Sequence, residues 1–333
     1  MHSMVELRQT RRQALASAVA IGGAPALGRG PALAAAPMLG PSQPRHYRFR
    51  LGAFEVTTIL DSDAAIDGPW PVIGGNASQA EVDRLMRDNL LPTHKYRPGF
   101  TPMVVNTGRQ LILFDAGNGA RGFVPRPHGG WLVDQLAPAG FSPEAFDLVV
   151  LSHGHPDHIG GLIEDGRPLF PNARYAIGEA EYGFWARNGG GHAGDLANFA
   201  ALFRDLVVPL ADRMSFLRPD SEPAPGIRAV EAYGHTPGHL CFHIESEGKR
   251  LFFLADCCHH QVASLARPDW HTVFDVDAAQ GATTRARIFD MLATERIAVS
   301  GYHMPFPSIG YVERQGGGSR GYRWVPHSYQ LNL

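Results

Sequence analysis

Residues 151–161, LSHGHPDHIGG, set His153, His155, Asp157 and His158 within six positions. Each of these groups costs free energy to bury unless it has a partner. Imidazole and carboxylate crowded together suit a borderline divalent cation, which takes nitrogen and oxygen ligands. His153 and His155 are two positions apart, so on an extended chain both side chains point the same way. Pro156 stiffens the turn that carries Asp157 and His158. The spacing admits all four side chains on one ion, or a two-and-two split over two ions that needs more ligands from elsewhere.

Such ligands exist. His235 stands in YGHTPGH just after the apolar run IRAVEAY, Asp256 closes LFFLAD, and His303 closes IAVSGYH. Each falls at the expected C-terminal end of a strand, where loops can present side chains to one cleft. With the cluster they make seven candidates, about what two four- or five-coordinate ions require when a carboxylate and a water are shared. A His/Asp donor set accepts zinc, manganese, iron or cobalt, and zinc is the first expectation. His239, His259 and His260 lie close enough in sequence to support a ligand or touch substrate. His46, His94, His128, His192, His243, His271 and His327 read as surface or core residues. Cys241, Cys257 and Cys258 are an odd set with no disulfide framework, and read as small buried residues.

The elements that must position these residues alternate in type. HYRFRLGAFEVTTILDS reads as two strands about Gly52. SQAEVDRLMRDNL reads as a helix capped by Ser78 with Glu81 three residues on. TPMVVNTGRQLILFDAG is a hairpin turning at Asn106-Thr107-Gly108, GWLVDQLAPAG a short helix, and FDLVVLSH a strand apolar without a break. NARYAIGEAEYGFWARN runs from strand to helix, and AGDLANFAALFRDLV is helical. GIRAVEAYGHTPGHLCFHIESEGKRLFFLAD holds three strands, the last two closed by Glu247-Gly248. AAQGATTRARIFDMLATE is a helix and RIAVSGYH the expected final strand. Hairpins in both halves argue against a purely parallel sheet and favour two mixed sheets with helices outside. Residues 188–192, NGGGH, and 315–319, QGGGS, read as surface loops, the first as a plain connector or a lid.

The composition is that of a globular protein, and the formal charge of -2 offers nucleic acid no basic surface. The first 36 residues differ. Arg11 and Arg12 precede an apolar, small-residue run over 14–27, and Ala-x-Ala sites end at Ala34 and Ala36. This reads as a twin-arginine export signal over 1–36, ahead of a single domain over 37–333, and implies a periplasmic or secreted location. The run is too short and glycine-rich to span a membrane stably.

With these residues in place, the chain over about 46–333 resembles the metallo-β-lactamase superfamily. The resemblance rests on the H-x-H-x-D-H run, the histidine of GHTPGH, Asp256 and His303, together with Asp115 in LILFDAGNG. The closing H-x-P-F-P-x-I-G stretch looks most like methyl parathion hydrolase and its lactone-hydrolysing relatives. The resemblance implies a four-layer αβ/βα sandwich with two mixed sheets and a two-metal site at one edge. It implies His153, His155 and His235 on one ion, Asp157, His158 and His303 on the other, Asp256 bridging, and Asp115 holding the other nitrogen of a ligand histidine. The expected chemistry is attack by metal-bridging hydroxide on a lactone or aryl ester, with organophosphate triesters as side substrates. Asp157 would hold and pass the proton, and Asp256 would keep the two ions together. Ser152 reads as structural. Phe123, Phe184, Trp185, Phe274 and Phe306 flank the expected cleft and suit a small hydrophobic substrate. Relatives are often homodimers. A β-lactamase or thioesterase of the same fold, or an iron-dependent oxidoreductase, stands as the alternative. Against the thiolate-ligated lactamases, Cys257 and Cys258 come one and two residues past the ligand position.

Overall fold

The computed structural model describes residues 38–187, 193–317 and 321–329. The export signal expected over 1–36 and the loop 188–192 lie outside the described residues, as do 318–320 of the expected 315–319 loop. All the elements below belong to one compact unit, Pro44–Leu333. Of the separate unit Met1–Gln43, residues 38–43 are described and form no helix or strand.

The first large sheet holds seven strands whose order in space follows the chain. They are β1 (His46–Leu51), β2 (Phe54–Ile59), β3 (Met103–Asn106), β4 (Leu111–Phe114), β5 (Leu148–Val150), β6 (Arg174–Gly178) and β7 (Met214–Leu217). The first four pair antiparallel. The joints from β4 to β7 are parallel. Parallel joints need crossovers, and the helices α2 (Leu132–Leu136), α4 (Glu179–Ala186) and α5 (Asp195–Leu206) lie in those connections. Ahead of them, α1 (Gln79–Asp88) starts with the capping box expected from Ser78 and Glu81. It buries Val82 and Met86 in a small core with Ile73 and Trp270. The one-turn α3 (Pro156–Ile159) follows β5.

The second sheet has six strands, also in chain order. They are β8 (Ile227–Glu231), β9 (Leu240–Ser246), β10 (Lys249–Phe253), β11 (Ala298–Ser300), β12 (Ile309–Arg314) and β13 (Tyr322–Pro326). RIAVSGYH is therefore not the final strand: β12 and β13 pair antiparallel beyond it and extend the sheet edge. Helix α6 (Ala263–Ala266) and the long α7 (Ala278–Glu295) fill the path from β10 to β11.

The layering follows from alternation along the strands. Val150 and Phe253 face a core shared by both sheets, with Phe114, Phe242 and Tyr302. Their neighbours Val149 and Phe252 face away. Val149 packs with Trp185, Phe203 and Leu206 of the first helical layer. Phe252 packs with Ile288, Phe289 and Leu292 of α7. Strands covered on both faces are apolar on both, which is why FDLVVLSH carries no polar alternation. The result is helix, sheet, sheet, helix.

Candidate metal centre and cavity

Seven side chains from four chain segments meet at one end of the two sheets. His153 and His155 follow β5. Asp157 and His158 lie on α3, His235 follows β8, Asp256 follows β10, and His303 follows β11. All seven are buried, none more than 8% exposed. They form two groups of four that share Asp256: His153, His155, His235 and Asp256, then Asp157, His158, Asp256 and His303. Within each group one ligand atom per residue lies within 4.8 Å of the others.

Asp256 faces both groups. Its Oδ2 lies 3.0 Å from His303 Nε2 and 3.4 Å from His235 Nε2, and its Oδ1 lies 3.0 Å from His158 Nε2. Burial would push the Asp256 carboxyl up, but the imidazoles of His303, His158 and His153 hold it well below the usual carboxylate range. Burial drives His153 and His155 well below the ordinary imidazole value, which keeps their lone pairs available.

The residues fit cations. His235 Nε2 stands 3.1 Å from His153 Nε2 and 2.9 Å from His155 Nδ1. Two nitrogens bound to one tetrahedral zinc stand about 3.3 Å apart, so these three atoms already have nearly that spacing. His158 Nε2, Asp157 Oδ1 and Asp256 Oδ1 are buried and have no hydrogen-bond partner. Buried polar atoms are rarely left so, and inward-facing nitrogens on four histidines and oxygens on two carboxylates would be satisfied by positive charge.

Outer partners fix the rings. Asp115, following β4 with φ 61°, accepts from His158 Nδ1 at 2.7 Å and from Ser152 N and Oγ at 2.8 Å each. Ser152, read from sequence as structural, also places its hydroxyl 3.0 Å from His153 Nδ1. His303 Nδ1 lies 2.7 Å from the Gly99 carbonyl, and the Tyr302 hydroxyl donates to the Asp157 carbonyl at 2.7 Å. His239 accepts from the Asp256 amide at 3.3 Å. His260 Nδ1 instead accepts from Val262 N and Ala263 N at 3.0 and 3.1 Å, at the start of α6.

Three contributors were not visible in the sequence. Asp275 takes His235 Nδ1 at 3.0 Å and is itself held by Arg285 Nη2 at 3.0 Å. Arg285 also donates to the carbonyls of Cys257, Pro268 and Trp270, so a buried guanidinium is satisfied by backbone. Glu181 sits beneath the first group. The only signal for it is a glutamate four residues before Trp185, on the same helix face.

A cavity of about 200 Å³ opens onto both groups, lined by His155, Asp157, Asp256 and His303 on one side. Phe123 and Phe274 form part of the opposite wall, their rings 5.8 Å apart, with Ile66, Tyr96 and Phe100. Phe184, Trp185 and Phe306 do not line it. Trp185 is fully buried in the helical layer, its ring 5.6 Å from that of His155, and Phe184 packs 4.8 Å from Trp185. The reason is that α4 turns its aromatic face to the first sheet rather than to the cleft. Phe306, two residues past Met304, is half-buried outside the cavity wall. His259 does line it. Both its ring nitrogens are buried, Nε2 lies 3.4 Å from Asp256 Oδ2, and burial pushes its pKa down to about 4 despite that carboxylate, so the ring is neutral near pH 7. A second cavity of about 330 Å³ shares Tyr96, His259 and His303 with the first. All three cysteines are buried and free.

The metallo-beta-lactamase superfamily profile matches residues 101–280. The chain belongs to that superfamily. An N-acyl homoserine lactonase of Bacillus cereus is 27% identical over 124 residues, 37% of this chain and 42% of the lactonase. A Bacillus sp. lactonase of the same description is 28% identical over 35% of this chain and 40% of its own length. The match thus spans about two-fifths of the length of these curated relatives. Among solved structures, AidC, a dizinc quorum-quenching lactonase in complex with a product, superposes with a TM-score of 0.78. It is 25% identical, covering 85% of this chain and 98% of AidC. The hydrolase AbOPH, 24% identical with a TM-score of 0.78 over 87% of this chain and 99% of its own, shares the fold.

Proposed function

We propose that this protein is a metal-dependent hydrolase of lactones or aryl esters, with organophosphate triesters as side substrates. The observation that carries the reading is Asp256: one carboxylate shared by two ligand groups at the wall of an apolar cavity. The likeness to N-acyl homoserine lactonases and to AidC supports the substrate class.

Two divalent ions, zinc foremost, would be held by His153, His155 and His235 on one side and by Asp157, His158 and His303 on the other, with Asp256 between. Bound there, they supply Lewis acidity toward a carbonyl or phosphoryl oxygen and a source of hydroxide near neutral pH. The chain's own residues do the rest. Asp115 and Asp275 hold His158 and His235 through Nδ1 and so turn each Nε2 inward. Asp157 Oδ1, buried and without a hydrogen-bond partner, takes a proton and returns it to the leaving oxygen. The neutral His259 ring donates from one nitrogen to an acyl oxygen in the cavity. Phe123, Phe274, Phe100 and Ile66 seat the apolar body of the substrate and keep bulk water out.

The test is the initial rate on dihydrocoumarin, an acyl-homoserine lactone, methyl parathion and nitrocefin, with and without chelator. Chelator-sensitive lactone turnover well above the other rates is expected. Nitrocefin turnover alone would replace this reading with a β-lactamase, and no turnover by metal-loaded protein on any of the four would end it. We further propose export through residues 1–36. A reporter fused to residues 1–40 should leave the cytoplasm, and Arg11→Lys with Arg12→Lys should stop it; unchanged export would refute the signal.

A further inference from the structure

Glu181 is the third residue of α4 and is fully buried. Its Oε1 accepts from Gly154 N at 2.8 Å and from Trp185 Nε1 at 2.5 Å. Its Oε2 accepts from Thr236 Oγ1 at 2.7 Å and from Gly238 N at 2.9 Å. Three of these four donors belong to the two loops that carry the first ligand group. Gly154 lies between His153 and His155. Thr236 follows His235 directly, and Gly238 is three residues past it. The fourth donor, Trp185, sets its ring 5.6 Å from that of His155.

The two loops arrive from different sheets, one after β5 and one after β8, yet both rest on the same turn of α4. The approach is too close for side chains. A Cβ at Gly154 would stand 2.4 Å from Trp185 Cδ1, and one at Gly238 would stand 2.0 Å from the Glu181 amide nitrogen. Both positions must therefore be glycine for the carboxylate to reach their backbone N–H groups.

A buried carboxylate whose four hydrogen bonds come from neutral donors is an expensive way to fill space, because it must be stripped of water. Burial pushes the Glu181 carboxyl up, and the four donors oppose that. An apolar side chain would pack the same volume without the cost, but it could not tie two loops together. We propose that Glu181 is a positioning residue whose carboxylate fastens the His153–His155 loop to the His235 loop and so sets the spacing of the three imidazoles for one ion. This rests on the reading that those histidines hold a metal.

Substitution by glutamine shows why the charge state matters. A carboxylate accepts at both oxygens, whereas an amide offers one acceptor and one donor. With the amide nitrogen at the Oε1 position, the donors of Gly154 and Trp185 both face N–H. With it at the Oε2 position, Thr236 can turn its hydroxyl round but Gly238 cannot turn its amide. At least one loop is released either way.

The experiment is calorimetric zinc titration of metal-free wild type, Glu181→Gln, Thr236→Val and Thr236→Ser, with circular dichroism as the check of folding. Wild type should take up two ions. Glu181→Gln should weaken one of them by about 10- to 100-fold and leave the other unchanged. Thr236→Val, which removes one of the four bonds and leaves the carboxylate and its other three donors in place, should weaken the same ion by a smaller factor. Thr236→Ser should restore it. Unchanged affinity for both ions in folded Glu181→Gln and Thr236→Val would overturn the proposal. Equal weakening of both ions would overturn it too, since that is the mark of general loosening. Wild type that binds no divalent ion would instead overturn the metal reading, before any substitution is compared.

Discussion

Replacing Asp115 with asparagine exchanges one atom of a buried carboxylate and should disconnect His158 from the second ligand group. Asp115 is fully buried, takes Ser152 N on Oδ1, and takes Ser152 Oγ and His158 Nδ1 on Oδ2. An asparagine that turned its NH₂ toward Ser152 N would leave a buried backbone donor unpaired, at a cost of about 1–3 kcal/mol. The favoured orientation therefore presents NH₂ to His158 Nδ1. That nitrogen must then accept, the ring proton moves to Nε2, and the lone pair beside Asp157 and Asp256 is lost. Loss of such a partner costs about 10- to 100-fold in metal affinity, or about 1.4–2.8 kcal/mol. Zinc titration should show one of two ions weakened within that range. Two ions bound as tightly as in wild type would refute the reasoning.

Further outcomes follow from the same geometry. His260 is held near pKa 4 by burial, against 6.5 for the free side chain, and its Nδ1 accepts two amides. The folded state favours the neutral ring, so the stability it contributes is complete above about pH 6.5 and is lost as pH falls toward 4. That amounts to about 2 kcal/mol between pH 7 and 5. In urea unfolding, His260→Asn should show a shallower acid loss by that amount; parallel curves would count against it. Phe274→Ala and Phe123→Ala should each raise KM for an aryl ester by about tenfold, in line with the burial of a phenyl group, while Phe306→Ala leaves KM unchanged. An equal rise for Phe306→Ala would mean the substrate lies elsewhere. Ser78→Ala removes the cap of α1 and should cost about 1 kcal/mol in chemical denaturation, with kcat and KM unaltered; a change in kcat would tie α1 to the site.

Strands and helices were legible where burial is one-sided or complete over a whole element. β9 and β10 alternate between the inter-sheet core and the α7 layer, and α1 announced its start with a serine and a glutamate. β12 and β13 were not legible, because GYVER and YRWVP are short, partly exposed and flanked by glycines. Their strand character comes from pairing with β11 and with each other, which no local pattern records. The aromatic residues show the same limit. Phe123 and Phe274 line the cavity while Phe184 and Trp185 do not, and the difference is the rotation of α4 against the first sheet.

What the sequence determined by itself is the set of chemical groups: an imidazole and carboxylate cluster dense enough to need cations, with its remaining members at strand ends. That follows because ligand type and short spacing are local, and desolvation makes such a cluster intolerable without a partner. Tertiary structure alone decided how those groups are held. Asp275 reaches His235 from 40 residues away, and Glu181 reaches Thr236 from 55. Such bonds depend on the angle and distance at which two sheets and a helix meet. Those quantities come from the packing of the whole core, and no stretch of the chain contains them.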